Sequence, residues 1–133
     1  MSFSRSLRRA GVAGLATAGL LAGTVGMAGQ AQAANPCNFP YFCLYYNSNL
    51  QGGIANFYQK DPNFNNDKFA GSGGGVGTVV KNNAASAKNT QTGIDAWVWF
   101  NSNYGGSHDV VTRSSWRNLS ATYNNNASFD WHS

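Results

Sequence analysis

The chain contains two short sequence patterns that each occur twice, in the same order. Residues 44–52 (LYYNSNLQG) align with residues 98–106 (VWFNSNYGG) at an offset of 54, and residues 81–86 (KNNAAS) align with residues 123–128 (YNNNAS) at an offset of 42. The first copy is 12 residues longer between its two patterns, and the glycine-rich residues 71–75 (GSGGG) are the natural place for the extra length. Such self-similarity indicates two related structural units, and in so short a chain they share one core.

Short runs of β-branched and aromatic residues recur between clusters of Asn, Gly and Ser, with no sustained helical period. This alternation of strand and turn signals predicts an all-β domain in which each copy supplies about four strands. The predicted strands are residues 42–46, 54–58, 76–81, 84–88, 96–100, 108–112 and 127–131. The first repeated pattern is typical of a hairpin tip, because Asn-Ser-Asn favours a turn and the glycine after it permits a sharp return.

The N-terminus has the order of features found in secretion signals. Arg5, Arg8 and Arg9 form a positive region, and residues 10–28 carry no charge and are rich in Ala, Gly and Leu. A membrane anchor is disfavoured because Gly and Ala gain little in hydrocarbon and a cleavage motif follows. The sequence therefore predicts a secreted, extracellular protein with no membrane association after processing.

A cleavage site for a signal peptidase is predicted between Ala33 and Ala34, since residues 31–33 (AQA) place small side chains at the two positions the peptidase reads. Residues 1–33 are then a signal peptide. Residues 34–133 are then a single mature domain.

Charge argues against nucleic acid as a partner. The whole chain has nine basic and five acidic residues, but three of the basic residues lie in the predicted signal, which leaves the mature part a net charge of +1. The six remaining basic residues form no cluster, and a nucleic-acid interface requires one.

Two cysteines, Cys37 and Cys43, lie near the predicted mature N-terminus. Both would meet an oxidising compartment after export, so a disulfide between them is expected. Closing so short a loop stabilises the domain by about 2 kcal/mol. A metal site is disfavoured because two cysteines without nearby histidines do not complete a tetrahedral set.

The repeated patterns resemble the βγ-crystallin-like domains, whose Greek-key motif has an aromatic residue, four residues, a second aromatic, one residue and glycine. Trp99, Tyr104 and Gly106 match this motif, and residues 45–52 match it except that Leu50 replaces the second aromatic. The resemblance implies a βγ-crystallin-like sandwich of two Greek-key motifs, with one repeat at about 37–90 and the other at about 94–133.

The signal, the Cys37-to-Cys43 spacing and the duplicated Greek key together resemble the secreted peptidase inhibitors of actinobacteria, the streptomycete metalloproteinase-inhibitor type. This resemblance implies a protein that binds and blocks an extracellular peptidase. A contact segment should be preorganised, since rigidity avoids the entropy cost of ordering on association. The Asn-Ser-Asn tips and residues 37–43, which carry Phe39, Pro40 and Tyr41, fit that need better than residues 71–75 do.

The second repeated pattern resembles the calcium motif of the βγ-crystallins, two Asn or Asp, two variable residues, then Ser or Thr and Ser. The resemblance implies one possible calcium site at Asn82, Asn83 and Ser86 and another at Asn124, Asn125 and Ser128. Calcium accepts amide, carbonyl and hydroxyl oxygens, but both segments lack carboxylates. The alternative is that these Asn and Ser residues only cap turns.

Binding of cell-wall glycan is a further alternative. The four tryptophans and six tyrosines could stack on sugars beside asparagine amides, or could instead form the core of a domain poor in charge.

An enzyme is not expected. Ser107, His108 and Asp109 contain the residue types of a catalytic triad, but adjacent residues on a strand point to opposite faces. The only other histidine is His132, and the chain has no glutamate and only scattered aspartates. A spaced carboxylate pair for glycoside hydrolysis is therefore not evident.

Overall fold

A computed structural model describes residues 35–133 of the chain. The predicted signal peptide lies outside these described residues. Seven strands build the domain: β1 (Phe42–Asn47), β2 (Gln51–Phe57), β3 (Ser86–Asn89), β4 (Asp95–Asn101), β5 (Gly105–Val111), β6 (Ser115–Asn118) and β7 (Ser128–His132). Two short 3-10 turns, Ser48–Leu50 and Phe64–Asn66, complete the regular structure of this part. Between residues 35 and 133 no helix is long and apolar enough to cross a bilayer.

The strands form two antiparallel sheets that exchange segments between the repeats. One sheet has the order β2-β1-β3-β6, so that β6 of the second repeat pairs with β3 of the first. The other has the order β5-β4-β7, and Asp61 of the first repeat forms an isolated bridge with Phe129 at its β7 edge. The all-β fold and the pair of Greek-key motifs predicted from the sequence are confirmed.

The main core lies between the two sheets and joins both repeats. Phe129 of β7 is fully buried, and its ring centroid lies 4.7 Å from that of Phe42 and 5.4 Å from that of Phe57. The larger buried side chains of this core are Phe42, Leu44, Phe57, Phe64, Phe69, Val80, Val98, Val111 and Phe129. Burying a side chain of this size stabilises the fold by about 1.5–3 kcal/mol.

Strand β1 is buried on both faces, whereas β4 is buried on one. The second face of β1 packs in a smaller cluster of Cys37, Cys43, Tyr45 and Ile54. Tyr45 also donates its hydroxyl to the carbonyl of Asn35 at 2.7 Å, which ties the start of the domain to this strand.

The strands predicted from the sequence differ from the observed ones in two places. Residues 76–81 form no strand; they run through turns and make one isolated bridge, between Val79 and Lys68. The β-branched residues there predict a strand, but Gly77 has a φ of +90° and turns the chain back over Phe69. Strand β6 was not predicted because its sequence, SWRN, has no apolar alternation and lies at a sheet edge with Trp116 exposed. The first repeat therefore supplies three named strands and the second supplies four.

Candidate functional site

Each hairpin tip is fastened by one serine of the second repeated pattern. In the first repeat, Ser86 donates its hydroxyl to the carbonyl of Asn47 at 2.6 Å and accepts the backbone N–H of Leu50 at 3.0 Å. Asn49 and Leu50 both have left-handed φ values, 62° and 59°. Such a turn is unfavourable for non-glycine residues, so the serine supplies hydrogen bonds that hold it.

The second repeat has the same arrangement. Ser128 donates to the carbonyl of Asn101 at 2.7 Å and accepts the N–H of Tyr104 at 3.0 Å. Ser86 and Ser128 are both fully buried. Each hydroxyl therefore uses its proton and one lone pair inside its own repeat.

The asparagines of the second pattern join the two repeats to each other. The backbone N–H of Asn82 donates to the carbonyl of Asn126 at 2.7 Å, and the N–H of Asn124 donates to the carbonyl of Ala84 at 3.0 Å. These bonds are equivalent under the offset of 42, so the repeats meet around a local pseudo-twofold relation. Asn82 and Asn124 both adopt left-handed φ, which asparagine tolerates.

The remaining pair, Asn83 and Asn125, cap their own turns. The amide of Asn83 donates to the carbonyls of Val79 and Lys81, and the amide of Asn125 donates to that of Tyr123. Of the six residues of the predicted calcium sites, Asn83 and Asn124 come together at one groove, and the other four do not line it.

This groove, which we call the inter-repeat groove, has a volume of about 580 Å³. It lies between the first hairpin tip and the second patterns of both repeats. Its lining residues are Tyr46, Asn47, Ser48, Gln51, Asn83, Ala85, Tyr123 and Asn124. None of these residues carries a charged side chain. In residues 35–133 no group of three or more His, Cys, Asp or Glu could hold a metal ion.

A second surface is the disulfide loop, residues 37–43. Cys37 and Cys43 are bonded, as predicted. Within this loop the N–H of Tyr41 donates to the carbonyl of Asn38 at 2.9 Å. Two side chains outside it hold its backbone: Thr90 donates to the carbonyl of Tyr41 at 2.7 Å, and Gln91 donates to that of Pro40 at 2.8 Å.

Three aromatic side chains on and beside this loop face solvent, and we call them the aromatic ridge. Phe39 is 67% exposed, Tyr58 is 56% exposed and Tyr41 is 38% exposed. The rings of Tyr41 and Tyr58 meet edge to face at 6.4 Å. Tyr58 also lines a shallow groove of about 410 Å³ with Gln59, Lys60, Gln91, Ile94 and Trp131.

Sequence reasoning missed Tyr58 and Gln91 as members of this surface. The contact of Gln91 with Pro40 joins segments that are 51 residues apart, so no local sequence pattern indicated it. None indicated Tyr58 either, because its place beside Tyr41 depends on the path of the chain after β2.

Two aspartates have opposite electrostatic surroundings. Burial alone would raise the pKa of Asp109, but hydrogen bonds from Thr122 and Ser120 outweigh it and lower that pKa. Burial and the nearby Asp61 carboxylate raise the pKa of Asp67 to about 7. The Oδ2 atom of Asp67 is buried without a hydrogen-bond partner among the described residues.

The Ser107-His108-Asp109 run does not form a catalytic cluster. The ring of His108 stacks on Trp97 at 4.3 Å, while Asp109 is bonded on the other side of β5 to residues 120–122. The neighbouring side chains therefore point to opposite faces, as expected for a strand.

Comparisons with solved structures show what fold this is. A structure from work on the evolution of the eye lens βγ-crystallin domain fold matches with a TM-score of 0.58 and 15% identity, covering 77% of this chain and 94% of that one. The N-terminal domain of protein S matches with a TM-score of 0.54 and 19% identity, covering 70% and 96%. A βγ-crystallin domain from Flavobacterium johnsoniae matches with a TM-score of 0.51 and 22% identity, covering 68% and 91%.

Comparisons of sequence give the family. No curated protein sequence matches this chain significantly. The sequence model described as peptidase inhibitor family I36 matches residues 30–111, which include the disulfide loop and both hairpin tips. An inhibitor family on a crystallin-like fold also indicates a non-enzymatic protein, in agreement with the sequence. Because this match spans more than half of the chain, the protein belongs to peptidase inhibitor family I36, built on a βγ-crystallin fold.

Proposed function

We propose that this protein binds and blocks an extracellular peptidase, and that it does so with the disulfide loop and the aromatic ridge. The observation that carries the proposal is at Phe39. Its side chain is 67% exposed, although the loop that carries it is constrained by the disulfide and by hydrogen bonds from Thr90 and Gln91. Aromatic side chains are enriched in protein interfaces, and exposed apolar surface marks such sites.

Rigidity supports this assignment. The disulfide joins the ends of the loop, and Thr90 and Gln91 bond the carbonyls of Tyr41 and Pro40. A peptidase that binds this loop would pay little entropy to order it, so more of the contact energy would remain as affinity.

The experiment is an inhibition assay against a panel of secreted metallo- and serine peptidases. The Phe39→Ala variant should weaken inhibition about 30-fold, which corresponds to the loss of about 2 kcal/mol expected for an interface anchor. The matched control is Phe100→Ala, an exposed aromatic on β4 of the second repeat, which should leave inhibition unchanged. Failure to inhibit any peptidase of the panel at micromolar concentration would count against the proposal.

Export is part of this proposal. The predicted cleavage between Ala33 and Ala34 supports an extracellular location, and N-terminal sequencing of protein recovered from the medium tests it. Mature protein beginning at Ala34 is expected. Full-length protein retained in the cell would contradict export.

Calcium binding is the alternative function, supported by the resemblance of the two Asn-Asn-x-x-Ser segments to the crystallin motif. The donor chemistry argues against tight binding, because Asn83 and Asn124 offer neutral oxygens and the hydroxyls of Ser86 and Ser128 already bond their hairpins. Calorimetric titration with calcium tests it. No heat and no rise in melting temperature at millimolar calcium would dismiss the alternative.

A further inference from the structure

The inter-repeat groove contains hydrogen-bonding groups that the fold leaves unused. Within residues 35–133, the side chains of Asn47, Ser48 and Asn124 make no hydrogen bond, although all three line the groove. The amide nitrogen of Asn83 is used twice, which leaves its Oδ1 as an acceptor. Gln51 makes one long bond, 3.3 Å, to the carbonyl of Asn49.

Amides and hydroxyls of this kind suit a ligand with adjacent hydroxyl groups. An amide presents a donor and an acceptor side by side, and a hydroxyl can act as either. Charged ligands gain less, because no acidic or basic side chain lines the groove and no ion pair can repay their desolvation.

Two tyrosines add apolar surface to this polar lining. Tyr123 is 47% exposed, and Tyr46 is half-buried with its ring 5.6 Å from that of Phe69. An aromatic ring offers a flat apolar face on which the C–H face of a sugar can lie, beside polar groups that bind its hydroxyls. The groove volume of about 580 Å³ lies within the range of about 300–1,000 Å³ typical of small-ligand sites.

We propose that the inter-repeat groove binds a neutral oligosaccharide. This site shares no residue with the disulfide loop or the aromatic ridge, so it is independent of the proposed peptidase contact. Ser48, Asn47 and Asn124 bond the hydroxyls, and Tyr123 supplies the stacking face.

The duplication provides an internal control, because the equivalent surface of the second repeat is chemically different. Under the repeat offsets, Tyr123 corresponds to Lys81 and Gln51 corresponds to Gly105. That surface therefore has a cation in place of the stacking ring and lacks the glutamine amide. The oligosaccharide is expected to bind on one side of the pseudo-twofold relation only.

The test is calorimetric titration with two neutral probes, cellohexaose and hexa-N-acetylchitohexaose, and one charged probe, a hexamer of galacturonic acid, all in EDTA. Binding of either neutral probe supports the proposal, and the difference between them shows whether the sugar carries acetamido groups. Tyr123→Ala should weaken that binding about tenfold or more, and Ser48→Ala should weaken it less. The symmetry-matched variants Lys81→Ala and Ser102→Ala should bind as the parent does.

Three results would overturn the proposal. The first is no heat with either neutral probe at millimolar concentration, and the second is binding that Tyr123→Ala and Ser48→Ala leave unchanged. The third is equally strong binding of the charged hexamer. Peptidase inhibition by Tyr123→Ala should equal that of the parent, so failure of this site and failure of the inhibitor assignment give separate readouts.

Discussion

The same aromatic position has different surroundings in the two repeats. In the first repeat, the glycine-rich segment lies against the ring of Tyr46, and a Cβ added at Gly75 would stand 2.1 Å from its Cγ. In the second repeat, the equivalent Phe100 remains 43% exposed. The 12 extra residues of the first repeat therefore act as packing for its hairpin. The residues added between these two strands are therefore packed against the domain.

The outer faces of the two sheets differ in a related way. The N-terminal segment and its disulfide cover the outer face of β1, where Tyr45 is buried. The outer face of β4 instead carries Trp97, whose ring is stacked between His108 at 4.3 Å and His132 at 4.0 Å. The hairpins and their serines are thus common to both repeats, and the surfaces around them have diverged.

The largest expected effect comes from disrupting the packing of the glycine-rich segment against the ring of Tyr46. In Gly75→Ala the new methyl group would overlap the ring of Tyr46, and the backbone at this position has a φ of +83°, which alanine disfavours. The free energy of unfolding should therefore fall by about 3 kcal/mol or more. Chemical denaturation measures it. Gly77→Ala is the matched control, since its φ is +90° and nothing lies within 4 Å of the added Cβ; it should cost about 1 kcal/mol. An equal decrease in the free energy of unfolding for the two variants would show that the glycine-rich segment does not pack against the ring of Tyr46.

The shared serines should behave alike. Ser86→Ala and Ser128→Ala each remove the buried hydroxyl that bonds a carbonyl and a backbone N–H of the hairpin tip. Each variant should lose about 2 kcal/mol of unfolding free energy. Thermal and urea denaturation of both variants provide the comparison. A large loss for one and none for the other would contradict the equivalence of the two hairpins.

The disulfide belongs to the first repeat alone. Replacing both Cys37 and Cys43 by serine should lower the free energy of unfolding by about 2 kcal/mol, because the loop is no longer closed in the unfolded chain. The parent protein in a reducing agent should match the variant. If reduction leaves the melting temperature unchanged, the loop is held by Thr90 and Gln91 without help from the disulfide.

The smallest expected effect is a pH dependence that comes from the first repeat. The folded state raises the pKa of Asp67 from 3.8 to about 7, so between about pH 4 and 7 the folded protein holds a proton that the unfolded chain has lost. Stability therefore falls as the pH rises through this window. Asp67→Asn should match the parent near pH 4 and become more stable than it as the pH rises, by about 1 kcal/mol or more at pH 8.

Asp109 of the second repeat provides a comparison, because its pKa is shifted in the opposite direction to that of Asp67. Its pKa is lowered by hydrogen bonds from Thr122 and Ser120, which outweigh the effect of burial, so it is ionised in both states from pH 5 to 8. Its contribution to stability is lost only in acid, as the pH falls through its folded pKa. An Asp67→Asn protein whose stability still falls between pH 5 and 8 would contradict the assignment to Asp67.

The sequence predicted what is repeated and failed where the repeats differ. The alignment of residues 44–52 with 98–106 located both hairpin tips, because local turn chemistry sets their form. Residues 76–81 were assigned wrongly and β6 was missed, because Gly77 reverses one segment and the partner of β6 lies in the other repeat. Contacts between distant segments leave no local pattern in the sequence.

The candidate site was predicted only in part, because some of its contacts also join distant segments of the chain. The disulfide and Phe39 could be found from cysteine spacing and residue type. The inter-repeat groove could not be found, since Asn83 and Tyr123 become neighbours only when the two repeats pack together. The sequence places Ser86 and Ser128 in motifs that resemble calcium sites, whereas their bonds to the hairpins are visible only in the folded structure.

In the proposed complex, the first repeat contacts the peptidase through residues 37–43 and Tyr58. Hydrogen–deuterium exchange of the protein alone and in complex with the peptidase it inhibits tests this directly. We expect slower exchange at Tyr41 and at residues 58–60, with the hairpin tips at 48–51 and 102–105 unchanged. Slower exchange confined to those tips, with no change at Tyr41, would contradict it.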